Sequence, residues 1–323
     1  MRRRIHIMCQ FAFSVMFAAV LCLGSVWSPS VANATEYYVA TNGDDGGPGT
    51  ASQPYLTISQ GISVLKPGDT LYIREGAYAD RITPDAMPIP SGTSWSNPIT
   101  ISGYSGETVT IQGGVALNTG STISYVIFDH LVLVGGLYVG CGSHHIRLSN
   151  SEVSNSSDMG IQFCESADYN EVINCSVHDV TFHGLYITSS NNLFDGNKVY
   201  NNGWAGYHLY HQSSQTVNNN TVSNSEVYGN GSGRANSGIV VSSGSNNVVY
   251  NNIVRDNAAG IGVAYGSANA YIYNNTVYGN ALGGIDIGYG VTNTIVENNV
   301  VYGNGWGIVD WGGSNSIVSG NTE

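Results

Sequence analysis

His183, Tyr186, Trp204, His208, Tyr210 and Arg234 are the residues of this sequence whose types suit proton transfer beside a carboxylate. A His and a Tyr within reach of one carbon can take a proton and deliver one to a leaving oxygen. An Arg guanidinium clamps a carboxylate bidentately. Trp and Tyr offer flat, amphipathic faces for a ring to stack on. Combined, these groups would support β-elimination at a uronate. Arg234 or a bound cation neutralises the carboxylate, and His208 or Tyr186 takes the neighbouring proton. The other of the pair, or His183, protonates the glycosidic oxygen. Trp204, Tyr210, His211 and Tyr138 are the expected substrate contacts. Elimination is favoured over hydrolysis because hydrolysis wants a facing pair of carboxylates, and this set offers none. The competing reading is an exposed aromatic ladder with ordinary surface histidines, as in a carbohydrate-binding or structural module without turnover.

These residues converge only if the chain repeats, and it does. Val249-Tyr-Asn-Asn-Ile-Val254, Ile272-Tyr-Asn-Asn-Thr-Val277 and Val296-Glu-Asn-Asn-Val-Val301 are one phrase written three times. Each is followed by a polar turn and Gly-Ile. Self-similarity at this period marks a solenoid whose repeats bury their apolar faces against one another. Alternation of apolar and polar residues within each phrase is the period-two signature of strands. The expected fold is all-β, a right-handed parallel β-helix with coils of about 22–28 residues and a short N-terminal capping helix.

The inward closing position reads Val132, Val153, Val177, Val199, Val227, Val254, Val277 and Val301. Three residues earlier sit Asp129, Asn150, Asn174, Gly196, Asn224, Asn251, Asn274 and Asn298, an expected Asn ladder. A tyrosine stack of Tyr200, Tyr228, Tyr278 and Tyr302 follows the valines, interrupted by His178 and Arg255. Lys198 falls in a row with Glu152, Ser176 and Glu226, an expected cross-coil ion pair. A second strand in each coil gives the outward rows Tyr138, Gln162, Tyr186, His208, Val240, Gly262, Asp286 and Gly140, Cys164, Thr188, Tyr210, Ser242, Ala264, Gly288. Tyr186, His208 and Tyr210 then share one patch, with His183 and Trp204 at its rim. The two long intervals, 28 residues from Val199 to Val227 and 27 from there to Val254, place insertions beside that patch.

Around the repeats, residues 1–34 read as a cleaved signal peptide: Arg2-Arg3-Arg4, an apolar run from Phe11 to Val26, then Ala32-Asn33-Ala34. The product should be exported and free of the membrane. Residues 35–81 form a cap and first coils, with Ile58, Ile62 and Leu65 on one helical face stopped by Pro67-Gly68-Asp69. Residues 82–323 are the repeat region, interrupted by a Pro-rich excursion over 85–98 and ending partway through a phrase, as a truncated product would. Beyond residue 34 only seven Lys and Arg face 22 Asp and Glu, a net charge of −15. That excludes nucleic acid as a natural partner. An acidic glycan is the expected partner, and a monomer the expected state. The sequence establishes no cofactor; Asp179 and Asp195 could help hold Ca²⁺. Cys164 and Cys175 could pair around one turn in an oxidising compartment, against a default of small buried hydrophobes.

Two stretches carry a family resemblance. Tyr37-Tyr-Val-Ala-Thr-Asn-Gly-Asp-Asp, Pro48-Gly49, Gln53-Pro54, Thr57-Ile58 and Lys66-Pro-Gly-Asp-Thr-Leu-Tyr-Ile73 resemble the opening of secreted β-helix proteins of the pectate-lyase-like superfamily. The Gly-Ile and Asn-Asn repeats resemble its generic helical region. The resemblance implies a right-handed β-helix and, among its members, pectate, alginate and chondroitin lyases, uronate epimerases, polygalacturonases and proteins with no known activity. It carries over no catalytic residue: the Asp-Pro-His, Asp-Asp with Gly-His-Gly and Arg-Ile-Lys, and Arg-x-Pro-x-x-Arg signatures of those enzymes are absent, as is the Asp-rich calcium site followed by a Lys base of another pectate lyase family.

Overall fold

Apolar alternation in short strands, separated by Asn and Gly corners, leaves the chain only one way to bury its inward residues: coil upon coil. The computed structural model, which describes residues 34–118, 120, 122–210, 217–231 and 237–323, is a right-handed parallel β-helix. Residues 1–33, with the expected export signal, lie outside the described residues. Three parallel sheets of 12, 10 and 9 strands run the length of the helix. One coil shows the pattern: Val248–Tyr250 in the first sheet, Ile253–Arg255 in the second, Ala259–Val263 in the third. Val249, Val254, Ile261 and Val263 point inward and are buried. Each such side chain contributes roughly 1.5–3 kcal/mol of burial, in one core continuous from Val39 to Val301.

At the N-terminal end a helix of six residues, Ile58–Ser63, is capped by Thr57, whose hydroxyl accepts from Gln60 N–H. Its buried Ile58 and Ile62 sit against the first strands, Glu36–Val39 and Thr70–Ile73. Among the described residues no helix is long and apolar enough to cross a membrane.

The corners explain the asparagines. His130, Asn150, Asn174, Gly196, Asn224, Asn251, Asn274 and Asn298 all have positive φ, between 48° and 70°, the left-handed region that Asn and Gly tolerate best. This row is exposed and only thinly linked. The buried ladder is one residue further on. Asn275 and Asn299 each accept from the preceding rung's backbone N–H and side-chain amide at 2.9–3.0 Å, and Asn252 accepts from Ser225 N–H at 3.0 Å. Two more buried ladders occupy the other corners, Asn202, Asn230, Asn257, Asn280 and Asn192, Asn220, Asn247. The expected ladder is therefore corrected: the first Asn of each pair makes the turn and the second makes the ladder.

Three further expectations change. In the first regular coil the inward residue is Leu133, not Val132, because Glu152 pairs with Val132 and Val153 with Leu133; Ser149 likewise pairs with Asp129, so His130 is the equivalent of Asn150. Lys198 does register with Glu226, but the Glu226 carboxylate is taken by Arg255 at 2.8 Å. The cysteine that joins Cys164 is Cys141. Cys175 is buried at a different corner, its thiol pushed up to about 12 by burial. The tyrosine stack is present on the second sheet: His178 on Tyr200, Tyr200 on Tyr228 at 4.9 Å, Arg255 over Tyr228, Tyr278 on Tyr302 at 5.1 Å.

The Cys141–Cys164 bridge spans 23 residues. Closing a loop of that length in the unfolded chain stabilises by about 3 kcal/mol. Reduction, or Cys141→Ser with Cys164→Ser, should lower the unfolding free energy by that order and the urea midpoint with it. Cys175→Ser should leave the effect of reductant unchanged. An unaltered midpoint after verified reduction would remove the bridge from the account.

Candidate functional site

The third sheet presents its outward rows in the expected register: Tyr138, Gln162, Tyr186, His208, Val240, Gly262 and Asp286 are successive neighbours. With coils about 4.8 Å apart, the His208 strand lies directly beside that of Tyr186. His183 comes from the turn entering the Tyr186 strand, and Trp204 from the next turn along.

His183 is only 3% exposed. It is stacked on Tyr186 at 5.4 Å and 20°, meets Trp204 edge-on at 5.1 Å, and lies 4.5 Å from the His208 ring. Tyr210 stacks on His208 at 5.2 Å and 11°. Five expected residues thus come together: His183, Tyr186, Trp204, His208 and Tyr210. Tyr138 stands two coils away, about 10 Å from Tyr186, where it lines a separate cavity with Gln162. His211 and Arg234 lie outside the described residues.

Both histidines are wired to each other. His208 Nδ1 lies 3.2 Å from His183 Nε2, and His208 Nε2 lies 3.2 Å from Ser242 Oγ. His183 Nδ1 is buried without a hydrogen-bond partner, and the Ala205 carbonyl near the ring favours its protonated form. That carbonyl already accepts from Gly184 N–H. Because His183 Nε2 faces His208 Nδ1, Nδ1 is the nitrogen left toward that carbonyl, and the proton is assigned there, since a bare lone pair would be repelled. His183 Nε2 then accepts from His208 Nδ1–H. The basic lone pair of His208 is left on Nε2, accepting from the Ser242 hydroxyl. Burial lowers His208 to about 4. Burial, then the neighbouring His208, lowers His183 to about 3. Both rings are neutral at physiological pH. Burial, reinforced by Tyr210, raises Tyr186 above its ordinary value of 10.0, so its phenol stays protonated.

Ser242 was visible in its row, but nothing in the spacing marks it as the partner of His208 Nε2. Tyr265, 77% exposed and 6.4 Å from Tyr210, and Tyr289, 85% exposed, were also missed. They directly follow Ala264 and Gly288 in successive coils, and Tyr265 continues the aromatic row from Tyr210. Asp179 and Asp195, which the sequence offers as residues that could help hold Ca²⁺, are engaged separately. Asp179 binds His178 Nδ1 at 2.7 Å, and Asp195 accepts from Ser223 and Asn224 at 2.6 Å.

Among solved structures, the chain is similar to pectate lyase Pel9A, at 17% identity and a TM-score of 0.53, over 91% of this chain and 80% of that one. It is similar to an alginate lyase from Paenibacillus sp. str. FPU-7, at 16% identity and a TM-score of 0.61, over 90% and 99% of the two chains. A protein described as a glycoside hydrolase aligns with a TM-score of 0.74 at 10% identity, over 90% of this chain and 97% of that one. At such identities the likeness is one of fold. Among curated proteins, the uncharacterized protein YwoF of Bacillus subtilis (strain 168) is 28% identical over 135 residues, 36% of this chain and 28% of that protein. The matched stretch is therefore less than a third of that relative's length. The Pel9A-like right-handed β-helix region matches residues 37–322, and the chain belongs to that family.

Proposed function

From that family membership as premise, we propose that the protein is an exported, polysaccharide-active β-helix that cleaves a uronate-containing glycan by β-elimination. The observation that carries this is the hydrogen-bonded His208–His183 pair beside the Tyr186 ring; burial favours the neutral form of both imidazoles and of the phenol. His208 Nε2 exchanges the Ser242 hydroxyl for the substrate proton next to the carboxylate. Tyr186 delivers its proton to the glycosidic oxygen. His183, beneath the surface, holds the His208 tautomer rather than meeting substrate. Trp204 and Tyr210 wall the ring being cleaved. Arg234 is assigned to the carboxylate from its place in the sequence beside this face. The solved lyases that share the fold support the reaction class. Export rests on the leader-like residues 1–34, and the chain is taken to act as a monomer.

One observation favours a second reading, binding without turnover. Both His208 nitrogens already have protein partners, while Tyr265 and Tyr289 expose whole ring faces. The test is an ultraviolet screen for unsaturated uronate against polygalacturonate, alginate, chondroitin and hyaluronan, with and without Ca²⁺. Product on one of them is expected. Folded protein that yields none, yet is retarded in gels containing one of these polymers, would replace the lyase by a binding module.

A further inference from the structure

We infer that Arg81 is the carboxylate-binding residue of a separate sugar subsite, on the N-terminal side of the His208 centre. The inference rests on the polysaccharide-directed reading and gives that face its anion specificity. Arg74, Arg147 and Arg255 are each held by a carboxylate: Glu107 at 2.5 Å, Glu171 at 2.7 Å, and Glu226 with Asp256 at 2.8 and 2.7 Å. Arg81 is the described arginine with no such partner. In a chain this acidic, an unneutralised guanidinium is the group an anionic ligand would find.

Its position is functional as well as free. Arg81 precedes Ile82, which bridges to Val115, and Val115 pairs with Leu137 at the edge of the third sheet. It thus stands at the corner that, further along the helix, carries His183 and Trp204. There it lines a cavity of about 190 Å³ with Tyr138, Gln162, Asp158 and Met159. That is about six water volumes, suited to one sugar ring.

Glycines keep the cavity open. A Cβ on Gly113 would lie 2.7 Å from the Arg81 Cβ, and one on Gly136 would lie 2.8 Å from the Gly160 carbonyl. Gly135 and Gly136 also adopt φ of 101° and 95°, which side chains rarely allow. The guanidinium can take a carboxylate bidentately, the Tyr138 ring offers a stacking face, and the Gln162 amide offers a donor and an acceptor. Asp158 accepts from sugar hydroxyls and repels a second carboxylate, so the cavity takes a single uronate. Tyr138 and Gln162 continue in register to Tyr186 and His208. The subsite therefore lies on the same row, about two coils or 10 Å from Tyr186.

The test is equilibrium binding, which needs no turnover. Full-length protein, Arg81→Gln and Arg81→Lys are titrated with oligogalacturonate, oligoalginate and the same oligomers after carboxyl reduction. Losing a charge-assisted bidentate contact should weaken uronate binding about tenfold in Arg81→Gln, with Arg81→Lys between. Binding of the reduced oligomers should be the same in all three proteins. Equal uronate affinity in wild type and Arg81→Gln would overturn the assignment, as would failure of the wild type to bind either uronate. Selective loss in Arg81→Gln with no unsaturated product would leave the subsite standing and remove only the lyase. Product formation with an indifferent Arg81→Gln would do the reverse.

Discussion

Replacing His208 with Ala should reduce unsaturated-uronate formation by about 10²–10⁴-fold, the usual contribution of a positioned general base. Tyr186→Phe, which removes only the phenolic proton, should fall in the same range. Tyr200→Phe, in the stack on the second sheet, should have no effect. The pH profile separates a base from a merely structural ring. His208 acts when neutral, and its pKa is depressed to about 4, so activity is lost as pH falls through that value. The acid limb of kcat/KM should therefore lie near 4, well below the ~6.5 of an unperturbed histidine. Once substrate is bound, its carboxylate favours the imidazolium and raises the same pKa. The acid limb of kcat, which reports the complex, should lie at higher pH than that of kcat/KM. The alkaline limb belongs to Tyr186 and should lie above 10.0, because burial raises that group. Product formation that survives both substitutions would keep a lyase and discard this pair. An acid limb near 6.5 in the free enzyme would point to a histidine other than His208.

Why the centre was partly legible follows from the chemistry of the repeat. Rows from Tyr138 to Asp286 came out in register because every coil after Val153 repeats one alternation, and a slip of one residue would turn each buried valine to water. The first coil lacks that signal. Leu131-Val-Leu-Val134 is apolar at every position, so its alternation reads equally well one residue over, and the sequence does not tell Val132 from the inward Leu133. An Asn-Asn pair has the same ambiguity, since either residue suits a turn. Only the path of the backbone shows that Asn251 takes φ of 56° while Asn252 enters the core. Cys164 and Cys175 are near in sequence but half a coil apart. Cys141 is distant in sequence and one coil below, as stacking requires. The His183–His208–Ser242 chain depends on rotamers that no spacing encodes. Arg81 lies before the repeat becomes regular, in a segment with no phrase to align.

Asn275→Ala should cost about 3–5 kcal/mol of stability, several times the cost at its neighbour Asn274, although the two residues are chemically identical. Asn275 is 1% exposed. Its Oδ1 accepts from both the backbone N–H and the side-chain amide of Asn252, each at 3.0 Å. Its Nδ2 donates to the Val249 carbonyl and to Asn299 Oδ1, also at 3.0 Å. Truncation leaves the Asn252 backbone N–H and one Asn252 amide hydrogen buried without acceptors, at about 1–3 kcal/mol each before relaxation, and takes the second donor from the Val249 carbonyl. At Asn274 the side chain faces solvent and only the φ of 55° matters. Alanine there costs about 1–2 kcal/mol of left-handed strain, and glycine almost none. Urea midpoints should therefore rank Asn274→Gly close to wild type, Asn274→Ala lower, and Asn275→Ala far lower. Coils in a solenoid contact only their neighbours, so the damage should also be local. Hydrogen exchange in Asn275→Ala should accelerate first in the strands 248–250, 271–273 and 295–297, while the strands near Ile101 and Phe128 keep their protection. Equal losses at the two asparagines would mean that the corner, not the ladder, holds the coils in register.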